Sequence, residues 1–248
     1  MFKIGGYMDE LVENLKIFIK GECCDLCIPD EDLAYESDWF DIFNSSENTE
    51  FLFQGVYPNT REMQRDFFNN ASKNGRLILI IKSSGRMQGV ISLSNIDLSR
   101  KSAGLAMVLD RRVFHREKYL IGLEAICLIV KHAFEEIGIE RINSGHPVDL
   151  VNWHSRKELI GFRYEGLSRS SFIKGMHVKD GLISSIILSD YIFLKKIRGD
   201  LWDGKIKMNN RIKKMKTIGK DAHSSFYLKY LEFYKKEYDN HYYSLWED

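Results

Sequence analysis

Proline is almost absent, with three residues in 248, and cysteine is scarce, with four. So few prolines exclude a collagen-like or Pro-rich extended chain, and four cysteines at this length exclude a disulfide framework. Neither sign of charge is in surplus. The 36 Lys and Arg against 35 Asp and Glu argue against a polyanion binder that works by bulk charge. The longest apolar stretch, residues 120–130, contains Glu124 and falls short of the ~20 residues that span a bilayer. The first ten residues hold no apolar run followed by small side chains, so no secretory signal is expected. These absences describe a reduced, cytoplasmic protein with no membrane partner. Hydrophobic residues make up 44%, which is enough for a sizeable core and excludes global disorder.

The charge that is present is sorted along the chain. Residues 1–50 hold thirteen Asp and Glu but three Lys, whereas residues 195–220 hold ten Lys and Arg but two Asp. Cys23, Cys24 and Cys27 form a lone CxxC with no second pair at zinc spacing, so they read as small side chains on a half-buried strand, and no metal is expected. Residues 10–20 suggest a short helix or arm and residues 22–28 a strand, followed by a helix over 33–43. Thr60 is placed to cap a helix carrying Met63, Phe67 and Phe68. Strands are expected at 76–82 and 87–93 around Gly85, then at 103–109. Residues 119–137 are apolar nearly all round and read as a buried helix stopped by Gly138. A strand at 141–144, a helix at 151–160 and strands at 163–174 and 182–192, turning at residues 179–181, complete the pattern. The expected organisation is an arm (1–21), a domain (22–192) and a basic, then aromatic, helical extension (193–248).

Between the third strand and the long helix lies Arg111-Arg112-Val113-Phe114-His115-Arg116-Glu117-Lys118. A strand end opening into a helix N-terminus, with basic side chains beside it, suits a phosphate or pyrophosphate; a plain solvated loop is the alternative. Here the chain resembles the GNAT superfamily of N-acetyltransferases, in particular the branch of the ribosomal-protein alanine N-acetyltransferases. The resemblance runs from Glu22 to Tyr191. It rests on Gly122-Leu123-Glu124-Ala125 with Ala133-Phe134-Glu135-Glu136-Ile137-Gly138, and on Asn152-Trp153-His154-Ser155 with Gly161-Phe162-Arg163-Tyr164-Glu165-Gly166. The terminal hairpin, from Phe172 to Leu188, is its third anchor.

The resemblance implies an α+β fold: a GNAT-like twisted, mixed but mostly antiparallel sheet flanked by helices, with a C-terminal helical extension. It implies acetyl-CoA as co-substrate and a primary amine as acceptor, whether a protein N-terminus, an amino sugar or another small amine. Pantetheine would pair with the backbone at Val108 and Leu109, and the pyrophosphate would lie along Arg116, Glu117, Lys118, Tyr119, Leu120, Ile121 and Gly122. Two alignments compete on the next helix. One puts Leu150 and Trp153 at the family's CoA-contacting positions. The other, preferred because pantetheine amides need polar partners, puts Asn152 and Ser155 there.

The departures are specific. Only the last glycine of the family's phosphate loop survives, as Gly122, and Gly104 stands where the branch often has a glutamate. His146, at the end of the 141–146 strand, is then the candidate general base, set against a plain strand-end histidine before Pro147. Asp30, Glu31, Asp32, Glu36, Asp38 and Asp41 would line the acceptor side, as a cation attractant or merely a solvated face. A GNAT-derived acyl-CoA-binding protein without catalysis is the alternative function. RNA or ribosome contact through the basic segment is disfavoured against packing on the chain's own acidic groups, and a homodimer stays open.

Overall fold

Residues 77–83 are apolar on both faces, so the strand they form needs cover on two sides. The computed structural model describes residues 12–36, 38–71, 73–113 and 117–246. In chain order the elements begin with β1 (Ile17–Ile19), β2 (Asp25–Cys27), α1 (Glu31–Glu36), α2 (Asp38–Asn44), α3 (Ser46–Thr49) and α4 (Arg61–Ala71). The centre is β3 (Leu77–Ser83), β4 (Arg86–Asp97), β5 (Ser102–Leu109), α5 (Lys118–His132) with a π-helical end Ala133–Ile137, and β6 (Arg141–Pro147). The chain closes with α6 (Val151–Glu158), β7 (Arg163–Lys174), β8 (His177–Ile187), α7 (Leu188–Arg198), α8 (Lys205–Phe233) and α9 (Asp239–Ser244).

The strands make one eight-stranded sheet, β1-β2-β3-β4-β5-β6-β8-β7, antiparallel except where β5 meets β6. Alternate residues feed two cores. Ile78, Ile80, Val90 and Val108 join Leu33, Trp39 and Ile42 of α1 and α2 on one face. Leu79, Ile81, Ile91 and Leu93 join α5 on the other. The long helix is buried nearly all round, and its one carboxylate, Glu124, accepts the backbone N–H groups of Glu22, Cys23 and Cys24 at 2.6, 2.5 and 3.0 Å. That bonding is what lets an acid sit in the core. Cys24 and Cys27 are buried as small core residues, and no metal-holding group of His, Cys, Asp or Glu occurs among the described residues.

Within residues 10–20, expected as a short helix or an arm, Ile17–Ile19 form an edge strand paired with Leu26 and Cys27. The last strand ends at Ile187, not 192. Although Tyr191, Ile192 and Phe193 continue the apolar run, the Asp190 carboxylate accepts the N–H of Ile187 and opens α7 there. A boundary at residue 193 therefore falls inside a helix. The hairpin turns at Gly175, whose φ of +58° suits glycine, rather than at residues 179–181. The basic segment packs back on its own chain. Glu22 accepts the Lys205 N–H and the Trp202 indole N–H, Lys205 pairs with Glu117, and Arg211 with Asp203. Leu201, Met208 and Ile212 sink into the α5 core.

Candidate active site

β5 and β6 pair only from Ser102–Arg141 to Gly104–Asn143. Beyond that they part, because β6 follows β8 along all seven of its residues while β5 follows β4 as far as Gly89–Leu109. Residues 105–109 thus present a strand edge with no strand beside it. Gly89 makes the end of this pairing close: its φ is +155°, and a Cβ there would sit 2.1 Å from the Val108 carbonyl oxygen. An extended amide such as pantetheine can add to an edge of this kind. Val108 and Leu109, the expected partners, lie on it.

At its end the splay meets a braced loop. Asp110, 1% exposed, accepts Asn48 Nδ2 at 2.8 Å and Arg112 Nε and Nη2 at 2.9 and 2.7 Å. Burial alone would raise its pKa, but the bonds from Arg112 and Asn48 outweigh burial and hold it below the usual carboxylate range. Arg111 is ion-paired with Glu50, and Lys118 donates to the carbonyls of Asp110 and Val113. These three cations are therefore engaged within the protein, whereas Arg116 and His115 lie outside the described residues. Tyr119 turns its hydroxyl to Asn209 of α8, with the Arg156 guanidinium 5.3 Å from its ring. Leu120 and Ile121 are buried in the core, and their amides are bonded to the Glu117 carbonyl.

Gly122 keeps the space the loop needs. A Cβ there would meet Leu109 Cδ1, Trp153 Cη2 and Met107 Cε at 2.9, 3.0 and 3.3 Å. Trp153, not Asn152 or Ser155, is the α6 residue turned toward β5. Asn152 is exposed, and Ser155 donates to the Val151 carbonyl. For acetyl-CoA the backbone edge and the α5 terminus fit, but the loop's described cations are already paired.

His146 points into the helical layer, its ring centroid 5.7 Å from that of His154 on α6. Nε2 is buried without a hydrogen-bond partner. Burial, then the charge of Lys157, pushes its pKa down to about 3, so it stays neutral but is a feeble base. Lys157 is itself buried, donating to Ser144 Oγ and Ser184 Oγ, and burial lowers its pKa to about 7.

The opposite face of β5 looks into a cavity of about 400 Å³. Trp39 and Phe43 of α2, Phe53 and Tyr57 of the loop after α3, and Phe67 of α4 wall it, over Ile78, Ser92, Ala106 and Val108 of the sheet. Arg76 is the one charged residue lining it among the described residues. The acidic residues Asp30, Glu31, Asp32 and Asp41 lie elsewhere, and the side chains of Glu36 and Asp38 are outside those described. Lys174 reaches across from β7 to the carbonyls of Thr49 and Gln54, and Phe172 packs on Phe53 at 5.2 Å, so the hairpin holds the loop that roofs the cavity. The cavity escaped the sequence reading. Its only trace was aromatic and apolar spacing, Trp39 with Phe43 and Met63 with Phe67, which any core helix shares.

Residues 31–157 match the family model for the acetyltransferase (GNAT) domain. Among solved structures the chain is similar to a GCN5-related N-acetyltransferase from Brucella melitensis, with 20% identity and a TM-score of 0.58 over 74% of this chain and 83% of that one. It is also similar to spermidine N-acetyltransferase from Vibrio cholerae in complex with CoA and spermine, at 16% and 0.59 over 66% and 95%. A third is the microcin C7 self-immunity acetyltransferase MccE in complex with acetyl-CoA and AMP, at 21% and 0.56 over 68% and 94%. At such identities these likenesses show the fold alone. No curated protein matches the chain in sequence.

Proposed function

Because this chain belongs to the GNAT acetyltransferase family, and is on that ground an acetyl-CoA-dependent N-acetyltransferase, we propose that it acetylates a primary amine held in the cavity beneath α2 and α4. One observation carries the reading. Residues 106–108 of β5 belong both to the open strand edge and to the cavity floor, so a thioester on the edge and an amine in the cavity share one strand. The amine nitrogen attacks the acetyl carbonyl, the C–N bond forms and the C–S bond breaks. The proton lost by nitrogen passes through water to the departing thiolate.

Among the described residues no Asp, Glu or His lines the cavity, and a Cβ at Gly104 would meet Ser94. The acceptor therefore enters as the neutral amine. Its own pKa sets the acid limb of the rate, which falls tenfold per pH unit below it. The branch resemblance favours a protein N-terminus as acceptor, and the cavity also admits a free small amine. Four unpaired cysteines fit a reducing cytoplasm.

Titration calorimetry with acetyl-CoA, followed by thiol release over an amine panel, tests this. Tight binding with turnover on some amine is expected. Binding without turnover on any amine favours the second reading, an acyl-CoA-binding protein that has lost catalysis, for which the missing base is the supporting observation.

A further inference from the structure

Taking the cavity as the acceptor site, as proposed above, its walls also carry information about the acceptor. Two polar groups there lack a counterpart. Gln64, on α4, is 3% exposed, and its Oε1 accepts Asn59 Nδ2 at 2.6 Å. That bond fixes the amide and leaves Nε2, a donor, with no hydrogen-bond partner. Arg76 lies with its guanidinium 5.2 Å from the Phe67 ring centroid, and no ion pair to it is found among the described residues. The other described walls are mainly aromatic and aliphatic, with Gln54, Asn59 and Ser92 the further polar side chains.

A buried donor left unpaired is costly, and the cost is recovered when a ligand brings an acceptor oxygen. Among the described lining residues a polycation would meet a single charge of its own sign and no carboxylate. A sugar would leave most of its hydroxyls against apolar surface. We propose that the site selects a primary amine on an aromatic or branched aliphatic body that carries one carboxylate or amide carbonyl, with that oxygen received by Gln64 Nε2 and Arg76.

The test uses the full chain, acetyl-CoA, and five probes: phenylalaninamide, phenylalanine, phenethylamine, spermidine and glucosamine. In thiol release, kcat/KM for phenylalaninamide should exceed that for phenethylamine about tenfold and that for spermidine about a hundredfold. Gln64→Leu should bring phenylalaninamide down to the level of phenethylamine measured on the same variant. Arg76→Met, at a half-buried position, should do the same for phenylalanine if Gln64→Leu fails to fold. Preference for spermidine or glucosamine, or ratios untouched by both variants, overturns the proposal while leaving acetyl transfer intact. Calorimetry of the same amines without acetyl-CoA separates the two readings. The expected affinity order, lost in the variants but with no turnover on any amine, sinks acetyl transfer and supports the acceptor class. Spermidine binding as tightly as the aromatic amines sinks the class whatever the turnover.

Discussion

His146 and Lys157 show how one residue's surroundings decide its chemistry. Both are held below their ordinary pKa values of 6.5 and 10.5, at about 3 and about 7, and burial is the largest cause for each. For a group whose folded-state pKa is depressed, the unfolded chain takes the proton first as pH falls, so stability is lost on the way down. For His146 that window runs from about pH 6.5 toward 3. His146→Gln should melt with a shallower decline than wild type between pH 6.5 and 4, and a parallel decline would mean that the ring is solvated. The same variant should keep its acetylation rate within about threefold, where loss of a general base would cost about a hundredfold. For Lys157 the window is pH 10.5 down to 7. Among the described residues it has hydroxyl partners but no carboxylate, and it sits 5.0 Å from the Phe162 ring centroid. Lys157→Met should flatten the melting temperature between pH 7 and 10 and raise it at pH 7.

At the scale of elements, the β7–β8 hairpin acts on the cavity from a distance. Its Lys174 ammonium donates to two carbonyls of the roofing loop, of Thr49 and Gln54, and Phe172 supports Phe53. Lys174→Met keeps the aliphatic stem and removes the donors. KM for the acceptor should rise severalfold with acetyl-CoA affinity unchanged, because the open edge of β5 makes no use of this hairpin. Equal losses for both substrates would instead indicate general unfolding of the sheet end. The splay follows the same logic. β6 is committed to β8 and β5 to β4, so only three residue pairs hold the two strands together before they part.

At the scale of the molecule, α8 completes the α5 core. Leu201, Met208 and Ile212 are 0–3% exposed within the core cluster that holds α5. Each fully buried side chain of this size contributes about 1.5–3 kcal/mol, so deleting residues 200–248 should cost about 5 kcal/mol or more. That is comparable to the whole stability of many domains. The truncated chain should lose cooperative thermal unfolding followed by circular dichroism. A separate extension would come off without that loss.

Local pattern was enough for β3, β4, β5 and α5, because period-two alternation and an all-apolar helix are properties of neighbouring residues. Thr60 as a cap and Gly138 as a stop were legible for the same reason: Thr60 Oγ1 accepts the Met63 N–H, and Gly138 has φ +80°. The backbone edge at Val108 and Leu109 was an expectation of the family resemblance alone, and strand pairing leaves both on an edge that β6 does not cover. The start of α7 at Leu188 was not legible, since an apolar run reads the same in strand and helix until Asp190 bonds Ile187. Which way His146 faces, which α6 residue meets β5, and whether loop cations are free depend on partners far along the chain, Lys157, Gly122 and Asn48 among them. The cavity depends on packing between α2, α4 and the sheet, and residue order alone carries no term for an empty volume.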